Sequence, residues 1–224
     1  MKTMKITKRT IHALRLNDGV ELRLQHAPDQ AMEPLVKRTK TGHYVVGYLV
    51  HDDDCFNPCE DRDGMGHIYS FSHRHINSID PNDVQSKFGH LKDFIVPLSY
   101  FEHGRCMWGV EGTMDHTPDF QWDGCCYAGI WVPDGCCLEE IRGAGRSKKA
   151  KLKRAEELAG QACKEYTAWA NGECYGHVCE WYKPDGTPMG DNACWGYIGG
   201  DYAESEATDA VNRVVAQLEE EKDP

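Results

Sequence analysis

Two groups of residues in this chain have the types and spacing for chemistry. Asp52, Asp53 and Asp54 close the apolar run HYVVGYLVH. Three carboxylates at a strand end supply the hard oxygen ligands that Mg²⁺ or Ca²⁺ takes. Downstream stand His73, Arg74 and His75, then Glu102 and His103, then Asp123. A histidine base, an arginine on phosphate and one or two metal ions describe a phosphoesterase or nuclease. On that reading Asp52, Asp53 and Asp54 hold the metal, and His73, Arg74, Glu102, His103 and Asp123 are the catalytic candidates. Strand alternation splits the set, because on an extended segment His73 and His75 face one side and Arg74 the other. The competing reading is an acidic loop whose charges are met by Arg62 and Arg74.

A second ligand set is softer. His51, Cys55, Cys59 and His67 lie close in sequence beside carboxylates. Zinc needs about four N or S ligands in a tetrahedron. No paired Cys-x2-Cys and no second His pair completes this one, so Mg or Zn stays an open cofactor reading against a solvated loop. Cys106, Cys126 and Cys137 are nucleophile candidates by residue type alone. His177 sits mid-strand beside Tyr175 and Cys179 and reads as a satisfied packing residue. The six tryptophans read as core or sheet-face residues. No GxxxxGK[ST], GxGxxG after a strand, or GxSxG element is present.

Composition narrows the classes. The 224 residues are 40% hydrophobic, enough for a real core. No apolar run approaches the ~18–20 residues of a membrane span. The N-terminus MKTMKITKRTIHALRL has charges but no apolar h-region, so it does not read as a signal peptide. Eleven cysteines, an odd count, argue for free thiols in a reducing cytosol. The net charge of −11 disfavours direct nucleic-acid binding. Basic residues gather in the first forty positions and again over Arg146 to Arg154. Acid gathers at Asp52–Asp54, at Glu60, Asp61 and Asp63, and in the tail after Asp201.

The elements that must position these residues follow from periodicity and punctuation. Asn17-Asp18-Gly19 turns a β-hairpin between residues 4–16 and VELRLQH. Residues 27–40 read as a loop or short helix. The nearly continuous apolar run from Tyr44 to Val50 suits a central strand covered on both faces. GHIYSFSHRHI reads as a strand, and residues 81–90 as one or two helical turns. DFIVPLSYF is β-rich, and Pro97 restricts it to an edge or a bulge. HGRCMWGVEGT and CCYAGIWVP are further strands. Ser147 caps a helix to Ala170, with the stripe Leu152, Ala155, Ala159, Ala162, Tyr166 and Trp169. ECYGHVCEWYKPDGTPMGDNACWGYIG is a hairpin. The last helix, capped by Asp201 or Ser205, carries Ala203, Ala207, Ala210, Val214 and Leu218. The expected fold is α+β, a single domain over residues 1–224 with a mostly antiparallel sheet. Residues 1–140 are mainly β, and residues 147–220 form a helix–hairpin–helix unit.

Three stretches resemble a family of accessory proteins common in tailed-phage genomes. The first is Asp52–Asp54, Asn57-Pro58, Glu60 and Asp61, followed by GHIYSFSHRHI with its His73-Arg74 pair. The second is Glu102-His103-Gly104 and then Trp122-Asp123-Gly124 with GIWV. The third is EYTAWANGECYGHVCE…ACWGYIGG, where Tyr-Gly and Cys-Trp-Gly match best. His75 stands where a second Arg is expected. The pairs Cys125-Cys126 and Cys136-Cys137 and the long PDGTPMGDN turn also depart from the pattern. The resemblance implies a phage protein made in the bacterial host cytosol and carries over no reaction. The expected function is inhibition of a host protein, of a defence or nucleic-acid machine, with Glu60, Asp61 and Asp63 on the acidic binding surface. The metal-dependent hydrolase and a small-ligand sequestering protein are the alternatives.

Overall fold

The structure, a computed structural model, describes residues 2–30, 32–61 (of Asp61 the backbone only) and 63–220. Along the chain run strands β1 (Lys2–Thr3), β2 (Ile6–Thr10), β3 (Ala13–Leu16), β4 (Glu21–Arg23), β5 (Leu35–Arg38) and β6 (Tyr44–His51). Helix α1 (Pro58–Asp61), strand β7 (His67–Ser70), helix α2 (Val84–Phe88), strands β8 (Val96–His103) and β9 (Arg105–Val110) and helix α3 (Phe120–Asp123) follow. Strand β10 (Gly124–Val132), helices α4 (Gly135–Gly143) and α5 (Lys148–Ala170), strands β11 (Cys174–Tyr182) and β12 (Pro188–Ile198) and helix α6 (Gly200–Glu220) complete it. Every pairing between these strands is antiparallel. The fold is α+β, as the sequence predicts. Contacts group the chain into two compact units, one up to Cys55 and from Glu173 onward, the other Phe56–Gly172.

The first unit is layered. Its main sheet has the order β1-β5-β6-β11-β12. On one face lies the three-stranded meander β2-β3-β4, and on the other lies α6. Strand β6 is buried from Tyr44 to Leu49 because both faces are covered. Tyr44, Val46 and Tyr48 meet Leu14, Leu16 and Leu22 of the meander. Val45 meets Val211 and Val215 of α6, while Leu49 meets Ala203 and Ala207. A Cβ on Gly47 would stand 2.4 Å from Val211 Cγ2, so only glycine lets the helix come this close. Residues 35–38, expected in a loop or helix, form β5, which pairs with β6. Two charged residues in four hide this strand's pattern.

The second unit is built on a four-stranded sheet of order β7-β10-β8-β9. Its core joins Trp131, Leu98, Val96 and Ile68 to Ala155, Ala159, Ala162 and Tyr166 of α5. Helix α5 begins at the expected cap, where Ser147 Oγ accepts from Ala150 N at 3.1 Å. Pro97 does not place β8 at an edge, since the strand lies between β10 and β9. The proline is the second residue of the strand, where the ladder has only begun. The expected strand through His75 also ends early, at Ser70. Ser70 Oγ accepts from Ser72 N and bonds His75 Nδ1 at 2.7 Å, so local side-chain bonds replace the ladder. The two helices around the β11–β12 hairpin serve different sheets, α5 that of the second unit and α6 that of the first.

Candidate functional site

In the first unit three segments end together. Strand β6 finishes at His51, β11 begins at Cys174 and α6 begins at Gly200. Asp52 N donates to Cys174 O at 2.9 Å, and Gly199 N donates to Glu173 O at 2.8 Å. This gathers Asp52, Asp53, Asp54, Glu173, Asp201 and Glu204 at one end of the unit. Asp53, Asp54, Asp201 and Glu204 are exposed. The acidic loop and the start of the acidic tail, far apart in sequence, thus form one surface.

Two of the three aspartates of that loop have side-chain partners. Asp52 is a brace: its Oδ2 accepts from Gly196 N at 2.9 Å and its Oδ1 from Asp54 N at 3.2 Å. Asp53 pairs with His51 Nε2 at 3.1 Å and stays open to water. Among the described residues, no group of three or more His, Cys, Asp or Glu is arranged to hold a metal ion. Of the soft set, His51 and Cys55 belong to the first unit and Cys59 and His67 to the second. His67 Nδ1 bonds Cys59 O at 2.6 Å, and burial pushes the Cys59 thiol up to about 12. Cys55 is half-exposed and Cys174 is buried. Burial above all, with the charges of Asp52 and Glu173 adding to it, pushes the Cys174 thiol up to about 12.

The catalytic candidates lie in the second unit. His103 and Asp123 are brought together, with Nδ1 and Oδ2 2.8 Å apart, because β10, which follows α3 directly, starts against β8's end with Gly124 opposite Phe101. Glu102 is on the neighbouring position and accepts from Tyr100 Oη at 3.0 Å. An exposed His–carboxylate pair of this kind can shuttle a proton. His73 and Arg74 are exposed in the turn after β7, so the alternation expected of them does not arise. His75, not assigned a role from sequence, is the half-buried member, 4.8 Å from the Tyr100 ring and 5.6 Å from the Trp108 ring. Glu60 and Asp63 are exposed beside α1, and the Asp61 side chain lies outside the described residues. A groove of about 740 Å³ runs between β9 and α5, with Met107, Val110 and Met114 facing Lys153, Gly160 and Lys164.

Two further polar groups are buried in the first unit. Glu180 is 2% exposed and accepts from Tyr48 Oη, Tyr182 Oη and Gln25 N. His177 is buried as expected but not satisfied, since its Nδ1 has no hydrogen-bond partner among the described residues. Burial holds its pKa below the usual histidine value, with Arg213 adding to this and Glu206 opposing it. Of the tryptophans, Trp131 and Trp108 are core, whereas Trp122 is 77% exposed. No signal short of the fold itself brings Glu180 to Tyr48, because the contact crosses a long stretch of chain.

No family model matches this chain, and no curated protein or solved structure matches it. Among the described residues no helix is long and apolar enough to cross a membrane.

Proposed function

We propose that this protein works by binding: its acidic end covers a basic surface of a host protein in the bacterial cytosol and inhibits it, as an accessory protein of a tailed phage. One observation carries this reading. Four exposed carboxylates, Asp53, Asp54, Asp201 and Glu204, come from two distant segments and share one end of the first unit. Such a field steers a basic partner and gives an association that weakens as salt rises. Glu60 and Asp63 are exposed as well, separately, in the second unit. The test is capture from host lysate at low and high salt, beside a variant carrying Asp53→Asn, Asp54→Asn, Asp201→Asn and Glu204→Gln. A partner held by the native protein at low salt and lost by the variant supports the reading. No partner, or one held equally by the variant, sinks it.

The His103–Asp123 pair favours a second reading, a metal-dependent phosphoesterase or nuclease with Glu102 beside the proton shuttle. His103→Gln would abolish Mg²⁺-dependent hydrolysis of phosphodiesters. Unchanged hydrolysis in that variant would dismiss it.

A further inference from the structure

Helix α5 carries a glycine that its own packing does not require. Gly160 lies in the middle of this 23-residue helix, where glycine is a poorer choice than alanine. Its φ is not in the left-handed region, and a Cβ there would meet nothing within 4 Å. Gly47 and Gly109 are unlike it, since a Cβ on them would stand 2.4 Å from Val211 and 2.6 Å from Met114. What lies over Gly160 is the groove of about 740 Å³ between β9 and α5. That volume falls within the roughly 300–1,000 Å³ of sites for small organic molecules.

The lining says what such a molecule would be. Met107, Val110 and Met114 form an apolar wall, and the two thioethers adapt to a flexible chain. Glu156 stands four residues before Gly160 and Lys164 four residues after it, so the three share one face of α5, with about 6 Å of rise between neighbours. Lys153 is paired with Glu157 at 3.6 Å, whereas Lys164 is exposed and has no ion pair among the described residues. One open cation at one end suits one negative charge. Glu156 and Glu111 on the same lining repel a second.

We propose that this groove is a binding site for a monocarboxylate with a flexible apolar chain. The carboxylate meets Lys164, and the chain crosses the bare backbone of Gly160 against Met107, Val110 and Met114. The site lies wholly within the second unit, and neither His103 nor Asp123 lines it.

The test is calorimetric titration of the full chain with decanoate and, separately, with decan-1-ol. The native protein should bind decanoate at one site and decan-1-ol more weakly. Lys164→Gln should weaken decanoate about two- to fivefold, with less effect at high salt, and leave decan-1-ol unchanged. Gly160→Leu should fill the floor of the groove and weaken both about tenfold or more, as expected when about two methylenes lose their contacts. Its urea midpoint should stand at or above the native one, because leucine favours the helix and the new Cβ has room. If leucine lowers the midpoint, Gly160→Ala decides, with weaker binding expected at a raised midpoint. No decanoate binding by the native protein, binding untouched by Gly160→Leu, or an equal effect of Lys164→Gln on both ligands overturns the proposal. So does a Gly160→Leu variant changed only in its sedimentation, which would give the groove to a second copy of the chain.

Discussion

The two units each lay one long helix on an antiparallel sheet, and they do it differently. Helix α6 lies over the middle of its sheet on a stripe of Ala203, Ala207, Ala210 and Val211, and among the described residues no strand lies beyond the edge strand β12. Helix α5 runs beside the edge strand β9 and closes it with side chains. Thr167 Oγ1 accepts from Trp108 N at 2.9 Å, and Asn171 both accepts from Cys106 N at 3.0 Å and donates to its carbonyl at 2.8 Å. Both helices bury alanines against their sheets, and the close approach of α6 over a face also needs Gly47. Covering an edge adds polar residues to these and leaves a groove where helix and strand part. The carboxylates differ in the same sense. Glu180 of the first unit is sealed among tyrosines. Glu111 of the second is half-buried and accepts from Ser99 Oγ at 2.6 Å and Tyr127 N at 2.8 Å. Burial alone would raise the Glu111 pKa, but these bonds and one from Cys126 hold it below the usual range.

The contrast can be broken most severely at Glu180. Glu180→Leu leaves two tyrosine hydroxyls and an amide without an acceptor in a dry interior, at a cost of about 3 kcal/mol or more. Glu111→Leu, with water at hand, costs about 1 kcal/mol. Urea titration of both variants measures the difference, and equal losses would erase the distinction. Gly47→Val comes next. The new side chain drives into Val211 and costs about 1–3 kcal/mol, read as a lower urea midpoint with hydrogen-exchange protection lost first on α6 and β6.

Acid should separate the units as well. The folded-state pKa of His177 lies below its unfolded value of 6.5, so the unfolded chain takes up the proton first. Its contribution is therefore full above that value and falls away as pH drops through and below it. Asp134, which caps α4, has its pKa lowered by bonds from Cys137, Gly66 and Gly64, which outweigh burial. Its contribution persists to its unfolded value of 3.8 and fades only below that. Hydrogen exchange at about pH 5.5 should show the first unit loosening before the second, and His177→Gln should remove that difference. The smallest effect is a gain. A Cβ on Gly160 of α5 meets nothing within 4 Å, so Gly160→Ala should stabilise the second unit by about 0.5–1 kcal/mol.

Local regularities were readable and remote encounters were not. The apolar run of β6 announced a strand covered on both faces, because alternation vanishes only when both sides are dry. The stripes of α5 and α6 announced one buried face each. They were silent on what lies opposite, so the assignment of the two helices to separate sheets was hidden. Strand β5 escaped because Lys37 and Arg38 mask four residues at the side of a sheet. His73 and Arg74 were placed on a strand that Ser70 stops, since an end made by a serine side chain leaves no Gly or Pro behind. Of the candidate residues, His103 with Asp123, and Asp52–Asp54 with Asp201, came together as groups.

The return of the chain at Glu173 has a consequence for how the protein is made. The strand that β6 pairs with on its inner side, β11, is encoded after all of residues 56–172. At ribosomal rates of roughly 5–20 residues per second, that delay is on the order of ten seconds. Residues 56–172 form their own compact unit and can fold in that interval. The most apolar strand of the protein meanwhile waits with one edge unpaired. Synthesis rate, temperature and chaperone supply during that interval should therefore govern yield more than the stability of the finished fold does.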